Sequence, residues 1–284
     1  MKNILSPLKL TLISVSLLCS AFTSTAQADL LDDIKAKGEI IIATEARFAP
    51  FEMLDGGKVV GYGKDVLDEV LKDLPGVELT LLDLPFQGIL AGLSAERYDF
   101  VTATLTITKK RSEKYAFTYP ISSAAIAILK RKGDERIMKP EDMEGMVIGT
   151  QAGSAHNNII ETFEKETLQA TGSGYKSMKQ FTDYNEAYAA LASRRVDAVP
   201  QALPNLAPII KERPDMFEII QPSFGPETYY GWVGRKDKNS ATLVQFFSDG
   251  IEKLQKSGKL AELQQKWFGF TMELPVGIVP EPKS

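Results

Sequence analysis

Apolar and polar residues follow two periods along this chain, and the periods keep replacing each other. Glu39-Ile40-Ile41-Ile42-Ala43 is apolar after its first residue and of strand length, the pattern of a buried strand. Val66, Leu67, Val70, Leu71 and Leu74 then recur at helical spacing, with Asp65 placed to cap the helix start. Residues 77–82 read as the next strand and residues 88–95 as a short helix. Strand, helix, strand, helix is the order of an open parallel sheet with helices on its faces.

The pattern is written twice. Leu93-Ser94-Ala95-Glu96-Arg97-Tyr98-Asp99-Phe100-Val101 has a counterpart in Leu191-Ala192-Ser193-Arg194-Arg195-Val196-Asp197-Ala198-Val199. Residues 38–45 (GEIIIATE) are echoed by residues 145–151 (GMVIGTQ), each a strand running into a turn of small residues. Residues 121–129 form a long extended apolar run, and residues 217–233 hold a second crossing broken by Pro222, Gly225 and Pro226. Leu243, Phe246, Phe247, Ile251 and Leu254 then share one helical face, and Leu260, Leu263, Trp267 and Phe268 another. The expectation is an α/β chain of two similar lobes, each a mainly parallel sheet flanked by helices, joined by two extended hinge strands. Lobe 1 takes residues 29–122 plus 228–284, and lobe 2 takes residues 123–227. Two lobes on two strands leave a cleft that can open and close on a ligand.

Residues 1–28 stand outside this pattern. Lys2 and Lys9, the apolar run from Leu10 to Phe22, and Ala26-Gln27-Ala28 make up a cleavable signal peptide, so the mature chain is expected to start at Asp29 in the periplasm. The apolar run is too short to span a bilayer. Leu18 before Cys19 argues against lipid attachment, because a small residue is needed there. Cys19 is the single cysteine, so the mature chain would hold none and would rely on its core in an oxidising compartment. Loss of Lys2 and Lys9 also takes the net charge from −4 to −6. That acidic balance argues against nucleic acid and anionic membrane as partners.

Few residues here could carry covalent or metal chemistry. With no mature cysteine, thiol catalysis is excluded, the single histidine, His156, argues against a histidine-based metal site, and no cofactor is expected. Gly172-Ser173-Gly174 lacks the strand-to-helix context of a nucleotide loop. Thr102, Thr104, Thr106 and Thr108 lead instead into Arg111. Hydroxyls and free amides at a strand end, followed by a guanidinium fork, make a receptor for a carboxylate. The turn from Thr44 through Glu45 to Phe51 lies at the carboxyl end of the first strand, where open α/β sheets bind ligands. Glu45 reads equally as a solvated turn residue or a ligand contact, and Phe51 as core. Gly149-Thr150-Gln151-Ala152-Gly153-Ser154 leads a strand into a helix whose free amides favour a carboxylate. His156 at that helix start reads equally as a surface residue or one at the cleft mouth.

Several stretches follow one another in a telling order. They are Gly38-Glu39-Ile40 with Ala43-Thr44, Ala49-Pro50-Phe51, Val60-Gly61-Tyr62 with Asp65, and Phe86-Gln87-Gly88-Ile89 with Leu93. Asp99 with Thr106-Ile107-Thr108 and Arg111, Phe117 before Pro120, and Gly258-Lys259-Leu260 with Lys266-Trp267-Phe268-Gly269 complete the series. Over essentially the whole mature chain this series resembles the periplasmic solute-binding proteins of polar-amino-acid ABC importers, the bacterial extracellular solute-binding proteins of family 3. The resemblance implies a periplasmic-binding-protein type II fold. It also implies a monomeric, non-enzymatic carrier that captures a small molecule and delivers it to a membrane permease.

Residue by residue, the resemblance implies that Arg111 clamps an α-carboxylate, helped by Thr106 and by the amides around Gly153, Ser154 and Ala155. Thr104 would offer its backbone carbonyl to the α-ammonium, and Phe48 and Phe86 would sandwich the side chain, with Glu45 and His156 near its far end. One position departs from the family. Ala202 stands where an aspartate usually pairs with the ammonium, and residues 198–211 contain no acid. A buried ammonium without a counter-ion is costly. Either Glu45 or Glu227 supplies that charge, or the ligand is an opine-, betaine- or ectoine-like zwitterion or a carboxylate without an amine there. The alternative function is a periplasmic enzyme on the same fold, similar to the cyclohexadienyl dehydratases, with Glu45 as its cleft acid.

Overall fold

The structure, a computed structural model, describes residues 29–283, so the leader and its cleavage signal lie outside the described residues. Asp29 accepts a hydrogen bond from the Asp32 amide and caps the helix Leu30–Lys37, which leads into the first lobe. There β1 (Glu39–Thr44) is followed by a small meander, β2 (Arg47–Phe48), β3 (Glu52–Asp55) and β4 (Lys58–Val60). Then come β5 (Glu78–Asp83), β6 (Phe100–Thr106), β7 (Tyr115–Phe117) and β8 (Ser122–Ser123). The second lobe holds β9 (Ile126–Arg131), β10 (Val147–Gln151), β11 (Ser177–Phe181), β12 (Ala198–Ala202) and β13 (Phe217–Phe224). With β14 (Tyr229–Arg235) the chain returns to the first sheet.

Strand order is β5-β1-β6-β14-β7 in the first lobe, with β8 on β14, and β11-β10-β12-β9-β13 in the second. The sheets are mixed rather than mainly parallel. β1 runs parallel to β5 and β6, and β10 parallel to β11 and β12. The strands next to the crossings, β14 and β9, run antiparallel to their neighbours. A strand entering from the other lobe joins its sheet without a helical crossover, so nothing forces it parallel.

The sequence repeat has a backbone counterpart. Glu96 (φ 55°) and Arg194 (φ 63°), which hold matched places in the two nine-residue echoes, are the non-glycine residues of positive φ among the described residues. The aspartate that follows each one bonds the equivalent strand of its own sheet, β1 in one lobe and β10 in the other. Asp99 accepts from the Ile41 amide at 2.8 Å, and Asp197 from the Val147 amide at 3.0 Å.

The helix Tyr62–Leu71 buries Val66, Leu67 and Val70 but starts earlier than the capping pattern implied. Gly61 precedes it at φ 132°, where a Cβ would lie 2.2 Å from the Phe51 carbonyl oxygen, so the close approach of two backbones sets the start. Asp65 is not the cap. It accepts from Lys266 at 2.6 Å and from Trp267 Nε1 at 2.7 Å, tying down the C-terminal helix Lys259–Phe268. Trp232 on β14 is buried against Phe247 of the helix Ala241–Lys256. Both tryptophans therefore belong to the first lobe.

Candidate functional site

The cleft walls are the carboxyl ends of equivalent strands. Glu45 follows β1, Gln151 ends β10, and Gln151 Nε2 donates to Glu45 Oε1 at 2.7 Å across the cleft. The turn that presents Glu45 is held by Asp83, which accepts from the Ala46 amide at 2.9 Å and takes the Arg47 guanidinium bidentately at 3.1 Å. Glu45 is 2 % exposed, so it is no solvated turn residue. Burial pushes its pKa up to about 7, against the opposing pull of Gln151 and Arg47.

Arg111 lies on the short helix Lys109–Lys114, whose start is capped by Thr108. Its Nη1 donates to the Thr106 carbonyl at 3.0 Å and its Nη2 crosses the cleft to the Gly153 carbonyl at 3.3 Å. Its guanidinium stands 5.6 Å from the Phe86 ring centre. Crowding by protein atoms lowers its pKa to about 10, which leaves it charged at neutral pH.

Phe48 is buried among Phe51, Tyr184 and Tyr230, with ring centres 5.9, 6.0 and 5.9 Å away. His156 is neither on the surface nor at the mouth. It is fully buried, with Nδ1 3.2 Å from the Tyr184 hydroxyl and Nε2 3.4 Å from the Tyr230 hydroxyl. Burial, then the nearby Arg111 charge, hold its pKa down at about 3, so it is a neutral imidazole at physiological pH. Ser154 meets the same Tyr184 hydroxyl at 3.3 Å and accepts from the His156 amide.

Thr104, Thr106 and Arg111 from one lobe face Gln151, Ser154 and His156 from the other around a tightly closed inner space of about 10 Å3. Phe48, Phe86 and Tyr230 close it. Glu45 and Gly153 do not line it. Gly153 lines the wider groove outside, of about 750 Å3, into which Arg111 and Phe86 also reach. Gln87 adds a clasp at that level, its Nε2 donating across the cleft to the carbonyls of Ala152 (3.1 Å) and Thr182 (2.9 Å).

Of the two acids considered as ammonium partners, Glu227 is exposed and bonded to Tyr229 and Lys283, outside both spaces. Ala202 is buried at the end of β12, its amide bonded to Gln201 Oε1 at 2.7 Å. Tyr184, Tyr230 and Glu52 were missed by sequence reasoning. No local motif marks them, and only the folded packing brings them to the cleft. Among the described residues, no cluster of His, Cys, Asp and Glu could hold a metal, and no helix is long and apolar enough to cross a membrane.

The family model for bacterial extracellular solute-binding proteins, family 3, matches residues 40–270. The L-cystine-binding protein TcyJ of Escherichia coli K12 is 28% identical over 248 residues, 87% of this chain and 88% of its own. An ancestral arginine-binding protein bound to arginine superposes with a TM-score of 0.70 at 32% identity, covering 82% of this chain and 99% of the other. The ancestral amino-acid-binding protein AncCDT-1, a precursor of cyclohexadienyl dehydratase, has a TM-score of 0.72 at 25% identity, covering 84% and 99%.

Proposed function

Because the chain belongs to the bacterial extracellular solute-binding proteins of family 3, we propose that it captures an amino acid between its lobes and hands it to the permease of an ABC importer. The carrying observation is Arg111, a charged guanidinium at the junction of both lobes, with carboxylate donors beside it at Thr106 and Ser154. A carboxylate bound there would take its bidentate fork and draw the walls together. In this reading the protein is exported through its leader and works as a monomeric carrier. Energy for transport comes from the partner ATPase.

The ligand is one that brings a positive group with N–H donors. Two buried carboxyls, Glu45 and Glu52, stand beside the cleft, and both call for such a group. That favours a free amino acid over a carboxylate without an amine, and over a betaine-like quaternary nitrogen, which has no N–H to give. The relatives' names are consistent with this choice, since one binds L-cystine and two structures of ancestral arginine-binding proteins hold glutamine and arginine.

A thermal-shift screen of L-arginine, L-glutamine, L-cystine and their N-acetylated forms tests this reading. A ligand at 100 times its dissociation constant should add about 2.7 kcal/mol of stability. Free amino acids should shift the melt and the acetylated forms should not. Silence from every free amino acid would overturn the proposal. A second reading, an enzyme, rests on Glu45, since a carboxyl titrating at about 7 is suited to proton transfer. Mass spectrometry of ligand recovered after incubation separates the two, because a carrier returns its ligand unchanged.

A further inference from the structure

Glu52 is a buried carboxyl that the site as described leaves without a task. It lies on β3 opposite Phe48 in the hairpin register and is 2 % exposed. Thr104 Oγ1 is 3.1 Å from one carboxyl oxygen and 3.2 Å from the other. Room for the carboxyl is made by Gly63 of the helix Tyr62–Leu71, where a Cβ would stand 2.0 Å from Glu52 Oε1. The titratable groups that face it are Glu45 after β1 and Tyr230 on β14, so its surroundings supply no positive charge. Burying a carboxyl this way is costly unless something later pairs with it.

Thr104 stands between Glu52 and the inner space, which it lines. A hydroxyl has one hydrogen to give and lone pairs to accept with. When Glu52 is ionised, it takes the Thr104 hydrogen, and Thr104 turns only lone pairs toward the space. When Glu52 is protonated, it donates to Thr104, whose own hydrogen then points at the ligand. The charge on Glu52 thus decides whether Thr104 accepts from the ligand or donates to it.

We propose that Glu52 is a positioning residue for the ligand's ammonium, supplying through Thr104 the negative charge that Ala202 lacks. The inference rests on the amino-acid reading above. Before binding, the carboxyl carries its proton, as burial and the neighbouring Glu45 favour. An arriving ammonium stabilises the carboxylate. The Glu52 proton leaves to solvent, the bond between Glu52 and Thr104 reverses direction, and one proton is released per ligand bound.

Calorimetry counts that proton. L-arginine and L-glutamine are titrated at pH 7 in phosphate and in Tris, whose different ionisation heats expose any proton released. Glutamine has no cationic side chain, so its proton cannot be ascribed to a side-chain cation meeting Glu45. The wild type should release a proton with either probe. Glu52→Gln should lose that release, with affinity reduced about tenfold or more. Thr104→Val, which keeps the shape and removes the hydroxyl, should lose it too, whereas Glu45→Gln should retain the part that depends on Glu52. Variants that bind and release as many protons as the wild type would overturn the inference. Failure of the wild type to bind either probe would instead overturn the amino-acid reading, and this inference with it.

Discussion

Arg111 reaches both lobes with one side chain, so its loss should be felt in affinity before it is felt in folding. Arg111→Ala leaves a bound carboxylate without its fork, at a cost of about 2–5 kcal/mol in titration calorimetry. Arg111→Lys should recover only part of that, because an ammonium cannot reproduce the fork. His156 gives a pH test. Its folded pKa of about 3 lies below the value of 6.5 expected once unfolded, so the unfolded chain binds the proton first. Stability is complete above 6.5 and falls as pH drops toward 3, by up to about 1.4 kcal/mol per pH unit. Denaturant melts of His156→Gln should show a flatter acid limb than the wild type. Arg111 and the Thr run could be read from the sequence because they form one continuous stretch. His156 could not, since Tyr184 and Tyr230, which bury it, come from distant elements. Glu52 was equally hidden, because its environment is made by Gly63 and Thr104.

The strand ends of β1 and β10 meet through Glu45 and Gln151, so the two elements share one proton-sensitive contact. Burial between the walls raises the Glu45 pKa from 4.5 to about 7, which means that the closed cleft prefers the protonated acid. Closure is therefore favoured below about pH 4.5 and weakens as pH rises through 7, by at most about 3 kcal/mol. X-ray scattering across that range should show the particle expanding with pH, and Glu45→Gln should remove the trend. At the turns before β6 and β12, Glu96 and Arg194 hold left-handed backbone that glycine adopts without strain. Each change to glycine should raise stability by about 0.5–1 kcal/mol in chemical denaturation, after the entropy lost to a freer unfolded chain. The order of strands and helices was readable because apolar spacing alternates so regularly. The direction of β9 and β14 was not, because it depends on where the crossings enter each sheet. The role of Asp65 was not readable because its partners, Lys266 and Trp267, lie near the other end of the chain.

The molecule is two main sheets joined by two crossings, with the chain end drawn back over the joint. Beyond the last helix, Met272 reaches Ser122 at 3.4 Å beside the first crossing, the Pro275 carbonyl accepts from Gln255 at 3.3 Å, and Lys283 pairs with Glu227 beside the second. The two-lobed plan was visible as an internal repeat, while this return of the tail leaves no periodic trace in the sequence. The placing of Trp232 and Trp267 on one side of the joint divides the molecule optically. The second lobe carries Tyr175, Tyr184 and Tyr188 and no tryptophan, so at wavelengths longer than the phenylalanine bands its absorption is tyrosine alone. Light absorbed there can reach an indole only by transfer across the cleft, at a rate that falls steeply with separation. Over the constant transfer from the first lobe's own tyrosines, the part of tyrosine-excited emission at tryptophan wavelengths that changes is thus a built-in ruler between the lobes. It needs no dye, and a ligand that draws the walls together should brighten it.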